Sequence, residues 1–292
     1  MIAPFLKYLQ FEKRVSPHTL LAYETDLTQF EFFLRETFPD DTVAQADYGL
    51  VRAWIIQLVE AGAKPTSVNR KIASLRSLYK FMMREQALDK DPMLKIKPLK
   101  TGKRLPTFVK ENEMAKVLDM TEFGEDLKGR REQLILEMFY ATGIRLSELI
   151  HLNESDVDLH SRTIKVLGKR NKERVVPFPA PLVNIIKGYT DVRNREVEMK
   201  GHGYLFVTDS GEPCYPTMVY QIVRKHLQAS NAEKRSPHVL RHTFATHLLD
   251  KGAEINAVKD LLGHTSLAAT QVYTHNSLDK LKKAFEQAHP KA

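Results

Sequence analysis

Among 292 residues there is one cysteine, Cys214. A single thiol cannot form an internal disulfide or a cysteine-based zinc cage, so the core must stand on packing alone. No apolar run approaches the roughly 20 residues that a membrane-spanning helix needs. The opening stretch from Met1 to Leu9 lacks a basic start followed by an apolar core, so no secretory leader is expected there. There is no internal repeat and no low-complexity tract. These absences point to a cytoplasmic protein with no membrane partner. Its composition, 42% hydrophobic and 27% charged, is ordinary for a soluble globular chain. The length allows two domains, each with its own core.

The net charge of +8 is unevenly spread. Residues 1–63 hold 5 Lys/Arg against 9 Asp/Glu, a net of −4. Residues 64–104 hold 12 against 3, a net of +9. The remainder holds 27 against 24, a net of +3. A basic block of this kind is either a solvated face or the electrostatic footprint of a nucleic-acid surface, and the second reading is favoured.

Residues 1–92 read as a helical domain. Ser16 and Pro17 form an N-cap followed by Pro at the first helical position. Leu20, Tyr23, Leu27, Phe30 and Leu34 then recur at helical spacing. A second helix is expected from Tyr48 to Val59. After the break Ala61-Gly-Ala-Lys-Pro65, Thr66 or Ser67 is expected to cap a third helix running to about Glu85. Ile72, Leu75, Tyr79 and Met82 make its apolar stripe. Asn69, Arg70, Arg76 and Lys80 lie on the other face and are the candidate phosphate contacts. From 93 to 106 the pattern fails, and two prolines, one glycine and five Lys/Arg suit an extended basic linker. Residues 107–292 form the second domain. It begins with helices at Lys110–Met120 and Arg131–Ala141, the latter ended by Gly143. Another helix starts near Leu146. Thr163–Leu167 and Arg174–Phe178 read as a β-hairpin around a lysine-rich tip, and the chain beyond Ala180 is mostly helical.

Chemistry concentrates near the end. Between Ser236 and His275 lie His238, Arg241, His264 and Tyr273, which together offer donors for a phosphate and a phenol to attack it. A free tyrosine titrates near pH ~10, so such a phenol needs its proton accepted or its phenolate stabilised. Taken singly these residues have plain readings. Arg145 beside Glu148 can be a structural ion pair, Lys169 one basic turn residue among three, and Tyr273 a half-buried aromatic. His238 and His242 have a zinc-type spacing, but Val239 stands where a metalloprotease has glutamate and no third ligand is near, so no metal is expected. His242 and His247 read as structural or as supporting the residues of the site from behind.

The conjunction changes the weighting. Ala141-Thr-Gly-Ile-Arg145-Leu-Ser-Glu-Leu149, Gly168-Lys169, the His238-x-x-Arg241 pair, Leu262-Gly-His264 and Tyr273 resemble, in type and order, the motifs of the tyrosine recombinase (phage integrase) family. The likeness is nearest to its compact bacterial Xer type, which resolves chromosome dimers, and spans essentially the whole chain. It implies a mainly α fold with a small β-sheet (α+β), with an N-terminal SAM-like core-binding domain clamping DNA and a C-terminal catalytic domain. It implies six catalytic residues, Arg145, Lys169, His238, Arg241, His264 and Tyr273, and no cofactor. The expected partner is duplex DNA carrying a specific site, bound by a homo- or hetero-tetramer, with a partner recombinase and an activating protein possible and a nucleoid location. Leu278, Leu281 and Phe285 share one helical face, expected to dock on a neighbouring protomer or to pack in cis. Three alternatives stay open: an integrase or transposase of a mobile element, a type IB topoisomerase, and a non-catalytic DNA-binding protein.

Overall fold

A computed structural model of the protein describes residues 1–102, 107–168, 172–198, 201–230, 232–263 and 285–291. The chain divides into two compact units, Met1–Arg104 and Leu105–Ala292.

Unit 1 is helical. α1 (Ile2–Lys7) runs into a π-helical turn at Tyr8–Glu12 and is followed by α2 (Pro17–Thr37), α3 (Tyr48–Glu60) and α4 (Pro65–Arg84). The Ser16 side chain accepts from the Thr19 N–H at 3.2 Å, and Asp47 caps α3 through the Leu50 N–H at 3.0 Å. Each cap satisfies a donor that has no partner inside the helix. α4 starts earlier than expected: Pro65 opens it and Lys64, not Thr66 or Ser67, is the N-cap residue. Proline's fixed φ suits the first helical position and sets the start ahead of the hydroxyl residues.

Ile72, Leu75, Tyr79 and Met82 are all buried, as their spacing predicts, and join Leu27, Phe30, Leu34 and Trp54 in one core. Phe30 and Trp54 rings lie 5.0 Å apart. Asp26 sits within this core, fully buried. Its carboxylate accepts from Arg70 at 2.6 Å, Ser74 at 2.8 Å and Lys71 at 3.1 Å.

The segment expected as an extended linker over 93–106 is anchored along its first half. Met93 and Ile96 are buried in the unit 1 core. The Asn69 amide donates to the Leu99 carbonyl at 2.9 Å and accepts from the Leu99 N–H at 2.7 Å. Arg76 donates to the Ile96 carbonyl at 2.9 Å. Lys95, Lys97 and Lys100 are exposed along this ribbon.

Unit 2 is built around α6 (Leu127–Thr142), against which α8 (Ala180–Glu196), α9 (Pro216–His226) and α10 (Pro237–Asp250) pack. Asp126 caps α6 through the Gly129 N–H at 2.9 Å, so the helix begins before the expected Arg131. Residues 134–142 are buried without a break. Gly143 ends the helix at φ 60°, a left-handed position where a side chain would also collide with the Phe244 ring. α5 (Glu111–Asp119) precedes α6, and α7 (Leu146–Ile150) follows Gly143.

A three-stranded antiparallel sheet is ordered β1 (Val157–Asp158), β2 (Thr163–Leu167), β3 (Glu173–Pro177). The hairpin register pairs Ile164 with Val176 and Val166 with Arg174. α11 (Ile255–Leu262) ends at Gly263, also left-handed at φ 62°. Phe285 is buried in unit 2, stacked 4.7 Å from His289 and beside Phe244. Lys291 reaches Glu137 at 2.8 Å and Asp119 at 2.9 Å. Phe285 thus contacts its own chain. Leu278 and Leu281 lie outside the described residues.

Removing the Asp26 carboxylate leaves the buried Lys71 ammonium with the neutral Gln29 side-chain oxygen as acceptor and no anion beside it. Asp26→Ala is expected to destabilise unit 1 by about 3 kcal/mol, the lower end for breaking a buried pair. Urea unfolding of the full chain, followed by Trp54 fluorescence, measures it, since that is the only tryptophan.

Candidate active site

Three elements of unit 2 bring arginines to one place, the C-terminal end of α11. A helix end leaves its last carbonyls without intrahelical donors, and the helix dipole makes that end partly negative. Here the missing donors are guanidiniums. Arg174, from β3, donates Nε–H to the Leu261 carbonyl at 2.9 Å. Arg241, from the second turn of α10, donates to the Leu262 carbonyl and, at 2.5 Å, to that of Gly143. Arg145, at the start of α7, donates to the Gly263 carbonyl at 3.1 Å.

One carboxylate serves this group. Glu148 takes a two-pronged pair from Arg174, Nη1 to Oε1 at 2.6 Å and Nη2 to Oε2 at 2.8 Å. It also accepts from Arg145 Nη1 at 2.7 Å and from the Arg145 backbone N–H at 2.7 Å. Burial opposes ionisation of Glu148, but the hydrogen bonds and charge of Arg174, with those from Arg145, win and hold it at about 2. Arg241 is buried, and burial together with the charges of Arg145 and Arg174 lowers its pKa to about 9. It still carries its charge at neutral pH. Three guanidiniums thus share one anion, and the surplus is positive.

The sequence-predicted residues divide accordingly. The structure brings Arg145 and Arg241 together on Leu262 and Gly263. Each spends two N–H groups on protein in these bonds, out of the five a guanidinium carries. The rest suit the non-bridging oxygens of a phosphate. His238 is exposed in the first turn of α10, the helix that carries Arg241. Burial lowers the pKa of His242 on the same helix, with the charge of His238 adding to it. His247 is buried, its Nδ1 3.0 Å from the Tyr140 hydroxyl, a structural setting. Lys169, His264 and Tyr273 lie outside the described residues. Gly168, next to Lys169, donates its N–H to the Lys172 carbonyl at 2.7 Å.

In unit 1, two of the four candidate phosphate contacts are committed elsewhere. Asn69 and Arg76 hold the backbone of Leu99 and Ile96, and Arg70 pairs with Asp26 while about half its side chain stays exposed. Lys80 is exposed. The reason is the basic ribbon itself, whose buried Met93 and Ile96 bring polar backbone onto this face of α4.

Arg174 is the residue that motif reading missed. A signal existed: the strand alternates, with Glu173 exposed and Arg174 and Val176 buried, so a charged residue occupies an inward position. Buried arginines require partners, and Glu148 is the one provided.

Family descriptions match both units: "Phage integrase, N-terminal SAM-like domain" over residues 2–86 and "Phage integrase family" over residues 107–279. The tyrosine recombinase XerC of Chlorobaculum parvum is 36% identical, with 100% of this chain and 94% of that protein covered. The tyrosine recombinase XerC of Pelobacter propionicus is 39% identical, with 100% and 95% covered. The solved structure of the XerH site-specific recombinase bound to palindromic difH substrate, a post-cleavage complex, superposes at a TM-score of 0.74. It shares 22% identity over 97% of this chain and 84% of that one, and so speaks for the fold. The arginine constellation on a SAM-plus-catalytic architecture and the full-length relatives agree, and the chain belongs to the phage integrase family, the tyrosine recombinases.

Proposed function

We propose that this protein cuts and rejoins duplex DNA at a specific site through a 3′-phosphotyrosine, as a Xer-type recombinase resolving chromosome dimers. The carrying observation is the meeting of Arg145 and Arg241 at the end of α11, one and two residues before His264 in the chain. Their remaining donors hold the scissile phosphate and stabilise the added negative charge as phosphorus becomes five-coordinate. Tyr273 Oη attacks phosphorus while the bond to the 5′-oxygen breaks. His238 assists removal of the phenolic proton, His264 donates to a phosphate oxygen, and Lys169 protonates the departing 5′-oxygen. The phosphodiester energy stays in the protein–DNA ester, and a second strand's 5′-hydroxyl reverses the step to give a recombined joint.

Residues 1–92 act as the DNA clamp and residues 107–292 as the catalytic domain, joined through 93–106. Four protomers on two DNA sites fit this chemistry, since exchange needs two duplexes cut in concert. A partner recombinase and an activating protein belong to the same reading, as does a cytoplasmic location on the nucleoid. Lys80 and the exposed edge of Arg70 supply phosphate contacts beside Lys95, Lys97 and Lys100, while Asn69 and Arg76 act through the ribbon they hold.

Tyr273→Phe is expected to bind site DNA as the parent does and to form no covalent adduct on a nicked suicide duplex, read by denaturing electrophoresis. An adduct in that variant sinks the assignment. Relaxation of a supercoiled plasmid lacking the site would instead favour a topoisomerase. Affinity should fall linearly in log–log dependence on salt, with Lys80→Ala reducing the slope by about 0.9, the value for one lost phosphate contact. Fluorescence anisotropy across a salt series measures this, and an unchanged slope removes Lys80 from the contact set.

A further inference from the structure

Arg174 has no place in the chemistry just described, yet it is the most deeply engaged of the three arginines. It is 5% exposed and uses all three nitrogens: two on Glu148 and one on the Leu261 carbonyl. Both acceptors lie next to groups that hold the reactive arginines. The Glu148 Oε1 that takes Arg174 Nη1 also takes Arg145 Nη1. Leu261 immediately precedes Leu262 and Gly263, whose carbonyls receive Arg241 and Arg145. The fit is close on the far side as well, because a β-carbon at Gly263 would stand 3.1 Å from Arg174 Cδ and 3.2 Å from Nη1.

We propose that Arg174 is a positioning residue for strand cleavage: through Glu148 and the last turn of α11 it fixes where Arg145 and Arg241 direct their remaining N–H groups. This rests on the reading that those two arginines hold the scissile phosphate. The geometry makes a fork necessary. A planar guanidinium reaches both carboxylate oxygens and a carbonyl to one side, whereas an ammonium is a point charge that reaches one of these at a time. Without Arg174, Glu148 keeps a single cationic partner and can rotate toward Arg145, drawing that guanidinium off its bond to Gly263. The Leu261 carbonyl at the same time loses its donor at a buried helix end. Arg174 also stands on the strand that returns from the hairpin bearing Lys169, so one residue ties the hairpin base, the α7 arginine and the end of α11 together.

The test compares the parent chain, Arg174→Ala and Arg174→Lys in three measurements: thermal melting, affinity for site DNA, and single-turnover cleavage of a nicked suicide duplex. Arg174→Ala is expected to bind DNA as the parent does and to cleave about 10- to 100-fold more slowly, the range that outer partners of a charged site carry. A second readout separates positioning from general loosening. Glu148 faces Arg145 and Arg174, with the Arg241 charge near it, and is ionised far below neutral pH in the parent. With Arg174 gone, burial drives its pKa upward, so the variant's cleavage should fall between roughly pH 7 and pH 5, where the parent's Glu148 stays charged. Arg174→Lys, which keeps the charge and loses the fork, should remove that acidic decline and recover only part of the rate. If Arg174→Ala does not fold, Arg174→Lys carries the test alone, with slowed cleavage at parental affinity expected. Parental cleavage by the folded variant, or a loss matched by lost DNA affinity with an unchanged pH profile, overturns the proposal. A parent chain that forms no adduct at all instead overturns the reading beneath it.

Discussion

The catalytic unit depends on how a helix end is closed. The Leu261 and Leu262 carbonyls at the end of α11 are buried and the Gly263 carbonyl half-buried, and each needs a donor. Glycine at 263 lets the chain turn away, but it adds no side-chain donor. Arg174, Arg241 and Arg145 supply the donors from three separate elements, so packing and charge placement become one problem with one solution. Glu148 makes that solution tolerable by placing a single anion among three cations. It does not neutralise them. A site with fewer carboxylates than guanidiniums is poorly stable by itself and well suited to an anionic ligand such as a phosphate.

Much of this was legible in the sequence where local pattern governs. The α4 stripe of Ile72, Leu75, Tyr79 and Met82 is buried because helical spacing puts those residues on one side. Ser16 and Gly143 mark helix ends for reasons that act within a few residues. The hairpin strands alternate as strands must, whereas β1 is two residues long and has no period to read. Arg145 and Arg241 were found by their flanks, and the fold sets them on the same helix end. Lys169, His264 and Tyr273 lie outside the described residues, so for them the sequence alone speaks.

What the sequence hid were choices made at long range. Asn69 and Arg76 look like a polar helix face open to DNA, but residues 20 and 30 positions later in the chain occupy it. Arg70 looks like a free cation, but a buried carboxylate on α2 claims part of it. Arg174 looks like one more basic residue after a lysine-rich turn; alternation along β3 puts it on the side of Val176, but its partner Glu148 comes from α7. In each case the residue type was plain and the partner was not, because the partner comes from another element.

The grip of Asn69 on Leu99 has a thermodynamic side. An amide that engages both the carbonyl and the N–H of one residue removes most of the freedom of a segment that would otherwise sample many conformations. That loss is incurred once, when unit 1 folds, and is offset by burying Met93 and Ile96. A polyanion laid against Lys95, Lys97 and Lys100 would meet a main chain already fixed in place. Only the lysine side chains would remain to be ordered, and more of the gain from releasing counterions would survive as affinity.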